Sequence, residues 1–135
     1  MNEGLSACFA GLPKFASVNG TLRAAGWNSQ EGAEPGEYEL EKGDANVFVF
    51  PGNRYSNPGC TVSSTFPRKS AEALLEQHLD ARFKGAWQTA PTVDGIRSWV
   101  VPLRGGSLVM HVLGSGNSGE GSAGSGISME VRAKR

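Results

Sequence analysis

Four residues have side chains that could do chemistry by themselves: Cys8, Cys60, His78 and His111, the two cysteines and two histidines of the chain. One arrangement is a nucleophilic pair, with the Cys60 thiolate activated by His78 or His111. Asp44, Asp80 or Asp94 would orient the imidazole, which makes a thiol hydrolase. The local pattern argues against it. Cys60, Val62, Ser64 and Phe66 alternate with Thr61, Ser63 and Thr65 in a strand-like run that turns the thiol inward, where reactive thiols are rarely found. His78 falls on a helical apolar stripe and His111 inside an apolar strand, the usual settings of core histidines. A zinc site fares worse. The four positions contain none of the short ligand pairs that structural zinc sites use, so no metal is expected.

A different use of the cysteines is structural. Cys8 and Cys60 are both expected to face one core, so they either bridge or remain as two buried thiols. The bridge needs an oxidising compartment. Gly114-Ser115-Gly116-Asn117-Ser118-Gly119 has the spacing of a dinucleotide-binding fingerprint. That fingerprint requires a following helix and a later acidic residue, and neither is present, so no cofactor is expected. Asn53, Arg54 and Tyr55 sit in a loop closed by turn residues. Arginine and tyrosine are favoured at binding hot spots, which makes this loop a recognition surface that Trp87 could join. The alternative is a loop that only covers the sheet.

The elements that would position these groups follow from periodicity. The stretch from Ala45 to Phe66 reads as a central hairpin, with strands at 47–50 and 60–66 around the loop from Pro51 to Pro58. Leu5, Cys8, Phe9 and Leu12 recur at helical spacing, and Phe15, Val18, Leu22 and Ala25 continue it after Pro13. Residues 28–36 read as a polar connection, and residues 37–41 as a strand with a wet glutamate side. Ser70 is the expected N-cap of a helix that carries Ala71, Leu74, Leu75, His78 and Leu79 inward and ends at Gly85. Residues 86–95 read as another connection with Asp94-Gly95 as its last turn. Strands are expected at 96–103, 108–113 and 127–133, the first two joined by a tight turn at Arg104-Gly105-Gly106-Ser107. Pro102 places its strand at an edge or in an irregular end.

Length and composition bound the rest. At 135 residues the chain is a single domain, 1–135, with a flexible Gly/Ser-rich loop at 114–126. Thirteen basic and thirteen acidic residues cancel, which leaves no footprint for nucleic acid. No apolar run is long enough for a membrane span. Met1-Asn2-Glu3-Gly4 lacks the basic and apolar regions of a signal peptide. The expected fold is α+β: a mainly antiparallel sheet of five to six strands with two helices packed on one face. Helix, three strands, helix, three strands is an order that hints at two related halves.

Cys8 in an N-terminal helix, Ala24-Ala25-Gly26-Trp27 after a Pro13-led turn, and Pro58-Gly59-Cys60-Thr61-Val62 before an alanine-rich helix form a recognisable layout. It resembles small exported bacterial proteins of unknown function that carry a helix cysteine and a strand Gly-Cys-x-Val. The resemblance covers about the first 85 residues. It implies export to the periplasm or beyond the cell, and a Cys8–Cys60 bridge. It implies no activity. The missing signal peptide keeps a cytoplasmic location open, and the glycine-rich insert is a second departure. The leading expectation is a binding or accessory domain, without catalysis, for a small ligand or a protein partner. The alternatives are an inhibitor or secretion-chaperone-like partner protein using the open sheet face, and the thiol hydrolase.

Overall fold

Alternation builds the sheet. Val47, Val49, Cys60, Val62, Ile127 and Met129 are buried, whereas the residues between them are half-buried or exposed. A computed structural model of the chain describes residues 1–93, 96–114 and 124–133. The expected turn at Asp94-Gly95 and most of the expected flexible loop, residues 115–123, lie outside the described residues. The elements in order are α1 (Asn2–Ala10), α2 (Val18–Ala24), β1 (Asn28–Glu31), β2 (Tyr38–Lys42), β3 (Ala45–Phe50), β4 (Gly59–Ser64), α3 (Arg68–Phe83), β5 (Gln88–Val93), β6 (Ile96–Leu103), β7 (Gly106–Gly114) and β8 (Ser125–Ala133).

The strands form one antiparallel sheet in the order β1-β2-β3-β4-β8-β7-β6-β5. Each half of the chain is a four-stranded meander, and the two meet where β4 pairs with β8, Val62 opposite Ile127 and Cys60 opposite Met129. The fold class is α+β, as expected, but among the described residues the sheet has eight strands rather than five or six. The two extra strands, β1 and β5, are the edges. β1 is Asn-Ser-Gln-Glu, without an apolar residue, and β5 contains Pro91 and a register shift between Ala90 and Val93. Edge strands are often blunted by short length, polar residues, proline and bulges, which weakens their sequence pattern.

The apolar strands β3 and β7 lie inside the sheet, but the middle belongs to β4 and β8. Pro102 lies beyond the reach of β5, whose last partner on β6 is Val100. Its missing N–H therefore costs no ladder bond on that side.

Among the described residues three helices lie along the sheet where two were expected: α2 against β1 and β2, α1 against β3 and β4, and α3 against β7 and β8. The chain leaves helix at Ala10, passes through residues 11–17, and resumes at Val18. The cap of α3 lies three residues before the expected Ser70: Pro67 takes the cap position in extended backbone and Arg68 is the first helical residue. Ala71, Leu75 and Leu79 form its buried stripe. Proline at that boundary needs no N–H of its own.

Gly4 lets α1 approach the sheet. A Cβ there would lie 2.9 Å from Val47 Cγ2 and 3.0 Å from Val62 Cγ1. Cys8, one helical turn later, bonds Cys60 from the same stripe, with the Cα atoms 6.0 Å apart. Gly4→Leu is expected to cost about 1–3 kcal/mol by overpacking. Gly20→Ala on α2, where an added Cβ meets nothing within 4 Å, is expected to stabilise by about 0.5–1 kcal/mol. Urea titrations of both variants check the pair. Equal effects would mean that α1 is not seated through its glycine.

Candidate binding site

Asn57 and Pro58, at the end of the loop between β3 and β4, are held down onto β8. The Pro58 carbonyl accepts the Val131 N–H at 3.0 Å, and the Asn57 amide donates to Glu130 Oε1 at 2.5 Å. Glu130 also meets Arg132 Nη2 at 3.4 Å. These contacts, Asn57 first, hold the Glu130 carboxyl below the usual carboxylate range.

Beside this junction lies a cleft of about 470 Å³. Leu12 and Lys14, from the connection between α1 and α2, form one wall. Leu103 and Arg104, at the turn between β6 and β7, form another, and Val131 and Arg132 near the end of β8 complete it. Leu12, Leu103 and Val131 pack against the core yet stay half-buried. The cleft is thus an open extension of the core with a cationic rim. Gly106 keeps the wall tight, since a Cβ there would lie 2.1 Å from the Arg132 carbonyl oxygen. Arg132 is paired with Glu130, whereas neither Lys14 nor Arg104 has a carboxylate partner among the described residues.

The residues singled out from sequence are distributed as follows. Asn53 shapes the loop: its Oδ1 accepts the N–H groups of Tyr55 and Ser56, both at 2.8 Å. Arg54 lies over the Tyr55 ring at 4.8 Å, and Tyr55 is 81% exposed. Trp87 is half-buried and donates its indole N–H to Asp80 Oδ1 at 2.8 Å. It precedes β5, four strand spacings from β4, roughly 19 Å at about 4.8 Å each. The structure therefore brings Asn53, Arg54 and Tyr55 together and leaves Trp87 apart.

Cys60 is buried and bonded to Cys8. No free cysteine occurs among the described residues, so in this state the thiol hydrolase lacks its nucleophile. His111 shares a hydrogen bond of 2.7 Å with Ser98 Oγ. His78 stacks on Phe9 with ring centroids 5.7 Å apart, and its Nε2 lies 2.7 Å from Asn2 Oδ1. Burial pushes the His78 pKa below its ordinary value, and the Arg82 charge adds to the effect.

The unfolded chain then binds more protons at His78 than the folded one as pH falls below about 6.5. Stability at this group is present above that pH and is lost as pH falls from the unfolded toward the lowered folded pKa. Melting temperatures at pH 7.5 and pH 5 are expected to differ less in His78→Gln than in the parent. An unchanged difference would remove His78 from the acid response.

The cleft residues Leu12, Lys14, Leu103, Arg104, Val131 and Arg132 were not singled out from sequence. One signal was available: an apolar residue at or near an element end followed within two positions by a cation, at 12–14, 103–104 and 131–132. The class defined here is a disulfide-clamped α+β domain with an eight-stranded antiparallel sheet and an apolar, cation-rimmed end cleft. Comparison with family models, with curated proteins and with solved structures gave no match.

Proposed function

We propose that this chain is a small exported binding or accessory domain, acting in the periplasm or outside the cell without catalysis. Its ligand or partner engages the end of the sheet where the 51–58 loop adjoins the apolar cleft. The cleft carries this reading. Among the described residues, half-buried leucine and valine side chains that continue the core stay open on this cleft, and Lys14 and Arg104 on its rim have no carboxylate partner. Its volume is within the range of ligand pockets, about 300–1,000 Å³. The Arg54–Tyr55 pair adds an exposed aromatic and cationic tip to the same loop. Export is supported by the bridge, since disulfides persist in oxidising compartments. Among the described residues no helix is long and apolar enough to cross a membrane.

The test places a photo-crosslinking residue at Tyr55 in the exported chain and pairs it with native mass spectrometry of the purified protein. A crosslinked partner or a retained small molecule, absent from Ala133→Trp in the cleft, is the expected result. A parent protein showing neither would end the reading. Two free thiols on denaturing titration of protein from its own compartment would end the export part and favour the cytoplasm.

A second reading, an inhibitor or secretion-chaperone-like partner protein, rests on the sheet side that carries Thr61 and Ser63. Small residues occupy its middle, with Thr61 opposite Ser128 and Ser63 opposite Gly126, and Phe48 and Leu113 flank them exposed. A crosslinked partner kept in Ala133→Trp but lost in Phe48→Ser would favour this reading over the first.

A further inference from the structure

We propose that the end cleft binds an unbranched aliphatic carboxylate of medium length, its tail on Leu12, Leu103 and Val131 and its headgroup at Lys14 and Arg104. This rests on the binding reading above and names the ligand class. The polar groups of the cleft decide the headgroup. Asn57 and Arg132 are already committed to Glu130. What remains are two cations without carboxylate partners among the described residues. An apolar tail ending in one anion satisfies both halves of that lining, because charge-assisted hydrogen bonds to a carboxylate are the strong ones.

Volume sets the length. At about 30 Å³ per water-sized group, the cleft holds on the order of fifteen non-hydrogen atoms, a carboxylate of roughly twelve to thirteen carbons. A two-chain phospholipid exceeds this. An extended peptide is disfavoured for a separate reason. The strands that wall the cleft, β6, β7 and β8, are all interior. Gly106 already pairs with Leu103 and Ala133, and the Val131 N–H with Pro58. A peptide would find no free sheet edge to join.

The test titrates the full chain with dodecanoate below its aggregation concentration, by calorimetry and by NMR. Dodecanol (same tail, no charge) and acetate (charge, no tail) are the comparisons. Saturable one-to-one binding of dodecanoate is expected, about tenfold or more tighter than dodecanol, with no binding of acetate. Lys14→Ala/Arg104→Ala is expected to weaken dodecanoate by about tenfold and leave dodecanol unchanged. Ala133→Trp, at an exposed position on the rim, should abolish both, with circular dichroism confirming that the variant is folded. If it is not, Leu103→Gln is the second block. No saturable binding to the parent, or binding indifferent to the two cations or to the block, overturns the proposal. Should dodecanoate fail while the Tyr55 crosslink is still lost in Ala133→Trp, the ligand class is wrong and the binding reading stands.

Discussion

Removing the Cys8–Cys60 bridge is expected to lower stability by about 4 kcal/mol in the chain-entropy model. The bridged residues are 52 positions apart, so the bond removes a long loop's freedom from the unfolded chain. Both sulfurs lie in the core, and the gap left by Cys8→Ala/Cys60→Ala is small. The effect should therefore appear mainly as a fall in melting temperature of roughly 10–20 °C, with little change in the native circular dichroism spectrum. Thermal melts of the oxidised parent against the double alanine variant check it. A difference under 3 °C would mean that the bridge adds nothing to a fold already held by packing.

The second large effect lies in the other half of the chain. Trp99 is fully buried, and its indole N–H donates to Glu76 Oε2 at 3.0 Å, tying β6 to α3. Arg97 covers the same ring at 5.1 Å. Trp99→Ala is expected to cost about 3–5 kcal/mol through lost burial and the cavity left behind. Trp99→Phe should cost less. It keeps an aromatic ring and loses the hydrogen bond, worth about 0.5–1.5 kcal/mol, and water can reach half-buried Glu76. Denaturant titration of both variants reads the difference, and equal losses would dismiss the cavity argument. Trp99 and the bridge act in different meanders, so their effects should add. The sum approaches the whole stability of an ordinary domain, about 5–15 kcal/mol. The triple variant should be largely unfolded at 37 °C.

Strands with strong alternation were legible in the sequence. Val47 to Phe50 and Cys60 to Ser64 form the expected hairpin, and the parity that turns Cys60 inward is the parity the structure has. The turn at Arg104-Gly105 is where paired glycines place it, and Gly105 has the positive φ such a turn needs. Asn28 to Glu31 and Gln88 to Val93 were not legible. They pair along one side only, so they need little apolar patterning and resemble loops in composition. At the start of α3 serine is the stronger cap type in the sequence, but Pro67 also suits a helix start and takes the position. The cleft was hidden for another reason. Its walls come from four segments far apart in sequence, and only the sheet order makes Leu12, Pro58, Leu103 and Val131 neighbours. The loop that was singled out, Asn53 to Tyr55, lies just before one of those walls.

The seam between β4 and β8 gives the molecule an asymmetry that its paired architecture conceals. Cys60 belongs to the first meander and Cys8 to α1, which packs on it, so that half is stitched to its own helix by a covalent bond. The second meander carries no such stitch among the described residues, and it holds to the first through the Gly59–Ser64 ladder, the Asn57 and Pro58 hydrogen bonds to β8 and the helices. Amide protons of β5, β6 and β7 should therefore exchange with solvent sooner than those of β3, so the molecule loosens from one side.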